Sequence, residues 1–342
     1  MPRKIVTGWV PDFPDFRDYK VTSTEKKKES ELPRDKSVFE MMKETGVIHP
    51  KAVAKAPAKT PAKSASKFSV ETKKFDAKEN LNSLFSFSDL KSKKIEGIRE
   101  YCSSVADQGN LSSCTAHAGA ALVEYFENKT FGRSKRVSRL FLYKASRNLL
   151  KWEGDQGAFL RSTMATLALF GACPEDYWTY NENNFDLEPP AFCYSFAANY
   201  KALKYCRIDT DEARKDHAEL LRRVKILLTA NLPVIFGFTV FPSIDQSYDN
   251  NGLIPFPTNK EDNPEGHAVM AVGFDDKMKI TNRLRKDETT TGALMIRNSW
   301  GESWGDQGYG WLPYDYVLKG ITSDWWMLLK SDWIDTGLFG IK

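Results

Sequence analysis

Cys114 stands where an apolar helical stripe begins, directly after Gln108-Gly109-Asn110-Leu111-Ser112-Ser113. The first turn of a helix offers unpaired backbone N–H groups and the positive end of the helix dipole, and both favour a thiolate over a thiol. A cysteine so placed is either a nucleophile or a small buried hydrophobe, and its position alone leaves both readings open. His267 follows Gly266 at the mouth of an apolar run ending at Phe274. In a chain with four histidines it is a candidate base on a rigid element, with a plain turn histidine as the alternative. Asn298 opens Asn298-Ser299-Trp300-Gly301-Glu302-Ser303-Trp304-Gly305, where Trp-Gly occurs twice. A thiolate beside an imidazolium is a stable ion pair that can attack a carbonyl and form an acyl-enzyme. The imidazole must then protonate the leaving amine, and a neutral amide can fix the ring without quenching its charge.

These residues need two kinds of support. Ala116, Ala120, Val123 and Phe126 share one face of the helix that Cys114 begins. A second helix follows Ser138, a third fills 158–170 and stops at Gly171, and a longer one covers 211–230 with a cap near Asp209 and Thr210. The period then changes. Residues 233–240, 267–274, 293–298 and 325–329 read as strands separated by Gly, Pro and Asp/Asn turns. Helices first and strands second predict an α+β chain with one helical lobe and one antiparallel β lobe.

Taken together, QGNLSSCTAHA, GHAVMAVGF and IRNSWGESWGDQGYGWL, in that order, resemble the papain-like cysteine peptidases. The resemblance runs roughly from residue 85 to residue 330 and implies a two-lobe fold with a β-barrel-like second lobe and the site in the cleft between them. It implies a hydrolase of peptide or protein substrates with Cys114 as nucleophile and His267 as base and later acid. Asn298 would orient the ring, Trp300 would shield that hydrogen bond, and Gln108 would join the Cys114 N–H in binding the oxyanion. Gly157 falls at the edge that pairs with extended substrate, Phe159 near the pocket for the second residue upstream of the cut, and Ser323 to Trp325 at its floor. Aromatic walls there predict an apolar preference, with helix core the other reading of Phe159. The rival functions are a catalytically idle peptide-binding module and another Cys-His acyl transferase or isopeptidase.

The sequence also departs from the familiar secreted members, where a cysteine three residues before the nucleophile pairs with one in a glycine-rich loop. Here that position is Leu111, and the matching loop, Glu153 to Phe159, has no cysteine. GACPEDYWTY at 171–180 and GWVPDFPDFRD at 8–18 resemble microbial branches. Cys173, Cys193 and Cys206 lack metal-ligand spacing and read as buried thiols, so no metal or cofactor is implied. Five cysteines make a disulfide framework unexpected and suit a reducing compartment. No apolar run reaches membrane-span length, and no standard signal peptide is evident, which suggests a cytoplasmic protein or one released from a virion or as an effector.

Residues 1–80 hold 18 Lys/Arg against 12 Asp/Glu, whereas the remainder holds 31 against 33. The body is therefore slightly acidic and not built to grip nucleic acid. Residues 1–50 read as an arm in which Trp9, Phe13, Phe16 and Tyr19 lie among prolines, suited to lie extended with its rings in pockets. Such an arm docks on its own domain or covers the cleft as an inhibitory prosegment. A short helix is expected over 37–45. Residues 51–80 form a linker whose stretch 51–67 has five Lys, six Ala, two Pro and no acid. It is read as flexible or extended, or as a basic tract that touches nucleic acid or an anionic surface. The peptidase domain is 81–342, helical to about 210 and mainly β thereafter.

Overall fold

The computed structural model describes residues 7–12, 19–22, 35–37, 94–132, 134–210, 213–262 and 264–331. The helix expected over 37–45 and the lysine tract at 51–67 lie outside these, as does the start of the peptidase domain at 81–93.

Helix α1, Cys114–Phe131, is buried on every side through Tyr125, as its run of Ala and Gly with few charges requires of a core helix. Gly119 lets it lie close to its neighbour, since a Cβ there would stand 2.5 Å from Thr163 Cγ2. Helix α2, Arg139–Leu150, starts where Ser138 accepts the Phe141 N–H. Helix α3, Leu160–Leu169, ends before Gly171, whose φ of 89° and close approach to Ala197 O exclude a side chain. The short α4, Ala191–Ala197, completes the helical lobe.

Strand β4, Ala202–Arg207, belongs to the sheet although it precedes residue 210. Helix α5 spans His217–Thr229, not 211–230. Its cap is Asp216, which accepts the Glu219 N–H, because Asp209 is engaged elsewhere, with Arg207 and with the N–H groups of Asp324 and Trp325. Strands β5 (Val234–Val240), β6 (Glu265–Asn282), β7 (Arg285–Arg297), β8 (Tyr309–Pro313) and β9 (Thr322–Ser331) follow, with α6 (Tyr314–Leu318) before the last. The sheet runs β4-β9-β5-β6-β7-β8, antiparallel throughout. Two arm strands, β1 (Tyr19–Thr22) and β2 (Asp35–Ser37), extend it in parallel beyond β4, and β3 (Lys94–Ile95) pairs with β6. One continuous hydrophobic core joins the two lobes, with α1 packed against β6.

All five cysteines are free thiols, so the loop at 153–159 is fastened by other means. Asp155 accepts the Ser112 N–H at 3.0 and 3.1 Å, the Ser112 hydroxyl at 3.2 Å and the Tyr143 hydroxyl. A carboxylate thus ties this loop to the segment that leads into α1. Asp155→Ala should cost about 1–3 kcal/mol of unfolding free energy, read as a lower denaturation midpoint. Reducing agent should leave the wild-type midpoint unchanged.

Candidate active site

Cys114 is the first residue of α1 and is fully buried. Its N-cap, Ser113, does not cap the helix with its side chain; its hydroxyl bonds Tyr180 at 2.7 Å instead. The N-terminal N–H groups are left for the sulfur. Burial pushes the Cys114 thiol up to about 12, against the pull of the backbone N–H groups of Ala268, Thr115, Cys114 itself and Gly8. Helix α1 packs against β6, the strand on which Ala268 follows His267, and the Ala268 N–H is first among the backbone groups that favour the thiolate. The helix start and the strand mouth, 153 positions apart in sequence, therefore meet.

His267 sits opposite Phe238 in the β5–β6 register and is fully buried. Its Nε2–H donates to Asn298 Oδ1 at 2.7 Å, which leaves Nδ1 as the lone-pair nitrogen of the neutral ring. Nδ1 has no hydrogen-bond partner among the described residues. Burial holds the imidazole down at about 4, opposed by the Asn298 hydrogen bond. Trp300 stacks on the ring at 4.7 Å between centroids, and Tyr248 in turn stacks on Trp300. Asn298 is steadied from both sides. Its Oδ1 also accepts the Ser299 N–H, and Arg297 anchors the end of β7 to the carbonyls of Ser103 and Ser104.

Gln108 is buried, not a solvated loop residue. Its Oε1 accepts the Ser299 hydroxyl at 2.6 Å and its Nε2 donates to Leu111 O at 2.9 Å. These contacts turn the amide back towards the start of α1. Of the other histidines in the described residues, His117 is held down at about 3 by burial, and His217 bonds Leu318 O at the foot of α5. No group of three or more His, Cys, Asp or Glu among the described residues could hold a metal ion.

Residues 7–12 lie in the groove beside this cluster. Gly8 N and Trp9 N both donate to Gly266 O, at 3.0 and 3.1 Å. On the opposite side, Ala158 N donates to Gly8 O (2.9 Å) and Val10 N donates to Ala158 O (3.1 Å), a parallel bridge between Trp9 and Ala158. Gly157, at φ 77°, must be glycine, because a Cβ would stand 2.0 Å from Gly8 O. Gly8 itself has no room for a side chain, with Ser112 O 2.0 Å from where its Cβ would be. Further along, Thr7 bonds Glu265, and Asp12 pairs with Arg161 while its carbonyl accepts from Arg207 at 2.8 Å.

The pocket that receives Trp9 differs in detail from the sequence reading. Phe159 packs against Trp152 at 5.2 Å at the N-terminus of α3. Trp325 is stacked face to face on Phe236 at 3.9 Å, within the core. Ser323 pairs with Gly237 across β9 and β5. The indole N–H of Trp9 meets none of these and donates to Asp324 Oδ2 at 3.1 Å. Burial pushes the Asp324 carboxyl up to about 7; Asp209 adds to the rise, and Arg207, Trp326 and Trp9 oppose it. Asp324 lies within the stretch from Ser323 to Trp325 that the resemblance put at the pocket floor, but its carboxylate was not singled out, because an aspartate inside an apolar strand gives no periodic signal. Its φ of 64°, a turn conformation within β9, is the local cue that the chain turns it inward.

The model of the papain family cysteine proteases matches residues 92–325. An uncharacterized peptidase C1-like protein of Acanthamoeba polyphaga mimivirus is 36% identical over 228 residues, which is 65% of this chain and 68% of that protein. Xylellain, a cysteine protease from Xylella fastidiosa, superposes with a TM-score of 0.62 at 25% identity over 96% of this chain and 97% of its own. Procathepsin B S9 from Trypanosoma congolense shares the fold, with a TM-score of 0.50 at 17% identity over 70% of this chain and 78% of its own. With the two-lobed α+β architecture, the family match across most of the peptidase domain and this relative agreeing, the chain belongs to the papain family of cysteine proteases and is a cysteine-type peptidase.

Proposed function

We propose that this peptidase cleaves peptide bonds with Cys114 as nucleophile and His267 as acid and base, and that residues 7–12 hold it inactive. The observation that carries the catalytic reading is the His267–Asn298 hydrogen bond, which commits Nε2 and leaves Nδ1 unengaged. In the working enzyme Nδ1 takes the Cys114 proton, and the sulfur attacks the carbonyl carbon of the scissile bond. The carbonyl oxygen gains the charge and is met by the Cys114 N–H and an N–H of Gln108. As the C–N bond breaks, His267 gives its proton to the leaving amine and an acyl-enzyme remains. Water, deprotonated by the same imidazole, then releases the acid and restores the thiol. Asn298 keeps the ring aligned through both halves, and Trp300 covers the bond that does so. Asn298→Ala should lower kcat by about 10–100-fold with a smaller change in KM, since the base loses orientation rather than the substrate its contacts.

Autoinhibition rests on the path of residues 7–12. They run parallel to the 157–158 edge, with the Gly8 N–H bonded to Gly266 O and last among the backbone groups that act on the buried Cys114 thiol. The Gly8 carbonyl is held by Ala158 N. A segment in this pose covers the groove without offering a bond to cut. It also removes water, so the proton stays on sulfur and the ring stays neutral, the reverse of the ion pair that catalysis needs. Because the arm is tethered, its effective concentration is high and modest contacts suffice.

In the full chain, Trp9→Ala or Gly8→Ala should raise turnover of a fluorogenic peptide on the order of 100-fold, by loss of a buried ring or by a clash with Ser112 O. Cys114→Ala in the same backgrounds should abolish it. Equal activity in wild type and both arm variants would reject autoinhibition. Product analysis by mass spectrometry separates hydrolysis from acyl transfer or mere binding.

Iodoacetamide provides a second check. A raised thiol pKa means little thiolate near pH 7, so Cys114 in the wild-type chain should alkylate slowly and speed up roughly tenfold per pH unit over pH 6–9. The Trp9→Ala chain, with water restored to the pair, should react quickly even near pH 6. A wild-type rate equal to that of the variant at pH 6 would overturn the proposed desolvation.

A further inference from the structure

The arm shows what the groove accepts. Trp9 reaches inward over two glycines: a Cβ on Gly237 would lie 1.9 Å from its Cε2, and one on Gly266 would lie 2.2 Å from its carbonyl oxygen. At the far end of the ring stands a carboxylate that the protein positions with care. Asp324 is fully buried in a left-handed conformation, and its own N–H and that of Trp325 are bonded to the two oxygens of Asp209. Asp209 in turn grips Arg207 through Nε and a terminal nitrogen, at 3.0 and 3.1 Å. The two oxygens of Asp324 are used differently. Oδ1 accepts from Trp326 Nε1 at 2.6 Å and lies 3.3 Å from Arg207 in an ion-pair contact. Oδ2 has the Trp9 N–H as its hydrogen-bond partner. When the arm leaves, that oxygen loses its donor from among the described residues.

We infer that this pocket selects substrates by a long, flat side chain carrying an N–H donor at its tip, tryptophan or arginine, with Asp324 as the specificity-determining residue. The inference rests on the proposed arm-inhibited peptidase, with the arm's side chain taken as a guide to the substrate's. An apolar side chain of similar size, phenylalanine or leucine, would fill the space yet leave Oδ2 buried without a donor. A site built to hydrogen-bond discriminates against an analogue that lacks the group far more strongly than an apolar pocket discriminates by size. Indole and guanidinium both present N–H groups at the edge of a plane, so both can reach the carboxylate over the glycine floor. This reverses the apolar preference that aromatic walls suggested.

Two readouts on the full chain test it. The first needs no turnover. Cys114 alkylation by iodoacetamide, followed by peptide mapping, reports how firmly residue 9 holds the arm in place. Trp9→Arg should protect Cys114 nearly as well as wild type, whereas Trp9→Phe, which keeps the ring and loses the N–H, should alkylate about 10-fold faster. Protection by phenylalanine equal to that by tryptophan would overturn the proposal. The second uses the Trp9→Ala chain with fluorogenic peptides varied at each of the three residues upstream of the cut. At one position kcat/KM should favour tryptophan and arginine over phenylalanine and leucine by about 10-fold, and Asp324→Asn or Asp324→Ser should collapse that ratio to about twofold. A preference for leucine or phenylalanine in the Trp9→Ala chain, or a ratio unmoved by both Asp324 variants, would sink it. Absence of turnover with every peptide would count against the peptidase mechanism and leave the alkylation series to decide the pocket.

Discussion

A hydrogen bond between neighbouring strand ends, His267 Nε2–H to Asn298 Oδ1, is the interaction on which the site depends. It joins the mouth of β6 to the residue just beyond β7, two strands already in register with Met270 opposite Arg297. The sheet therefore supplies a stiff frame, and the bond turns that stiffness into one tautomer and one ring orientation. Everything else at the site is arranged around that fixed ring. Trp300 stacks on it and Tyr248 on Trp300, the start of α1 approaches from the helical lobe, and Gln108 is tied through its own amide to Ser299, the residue after Asn298. A cluster in which each member is held by a neighbour's backbone tolerates little error in any one of them.

Much of this was legible in the chain because the chemistry is carried by short local patterns. A cysteine at the first turn of an apolar helix, a histidine after a glycine at a strand mouth and an asparagine before paired Trp-Gly steps each declare their backbone setting, and α1 and the strands lie where their patterns put them. The errors have a common origin in tertiary competition for polar groups. Asp209 looked like a helix cap, yet its carboxylate holds Arg207 and two backbone N–H groups, and α5 waits for Asp216. The resemblance put Ser323 to Trp325 at a pocket floor; within that stretch the turn at Asp324 sends the Trp325 indole into the core against Phe236 and brings the Asp324 carboxylate round to Trp9. Strands β4 and β8 are short and broken by polar or glycine residues, so neither alternation nor a continuous apolar run marked them.

The arm illustrates a different limit. Its aromatic and proline content shows that it must dock, because such residues gain little in water, but composition has no direction. Direction comes from the hydrogen-bond pattern, in which Gly8 and Val10 flank Ala158 in parallel. Two glycines, Gly8 and Gly157, meet at that crossing: Gly157 has no room for a side chain because of Gly8 O, and Gly8 has none because of Ser112 O. The close backbone approach at that crossing lets Gly8 bond Ala158 on one side and Gly266 on the other, a geometry no single-segment reading could supply.

The proposed inhibition and the proposed selectivity then follow from the same desolvation. Burial in this arm-bound state favours the neutral form of three titratable groups: the Cys114 thiol, the His267 imidazole and the Asp324 carboxyl. For the first two, neutrality means silence, since attack needs a thiolate and an imidazolium. For the third, the Trp9 N–H opposes that shift by donating to the oxygen that Arg207 and Trp326 leave unserved. An arm carrying a purely apolar ring would shut off catalysis by the same desolvation but bind less firmly, because burying Oδ2 without a partner opposes docking. The indole is thus better matched to this cleft than its bulk alone explains, and the second arm attachment, β1 on the edge of β4, keeps it close enough to return whenever the groove empties.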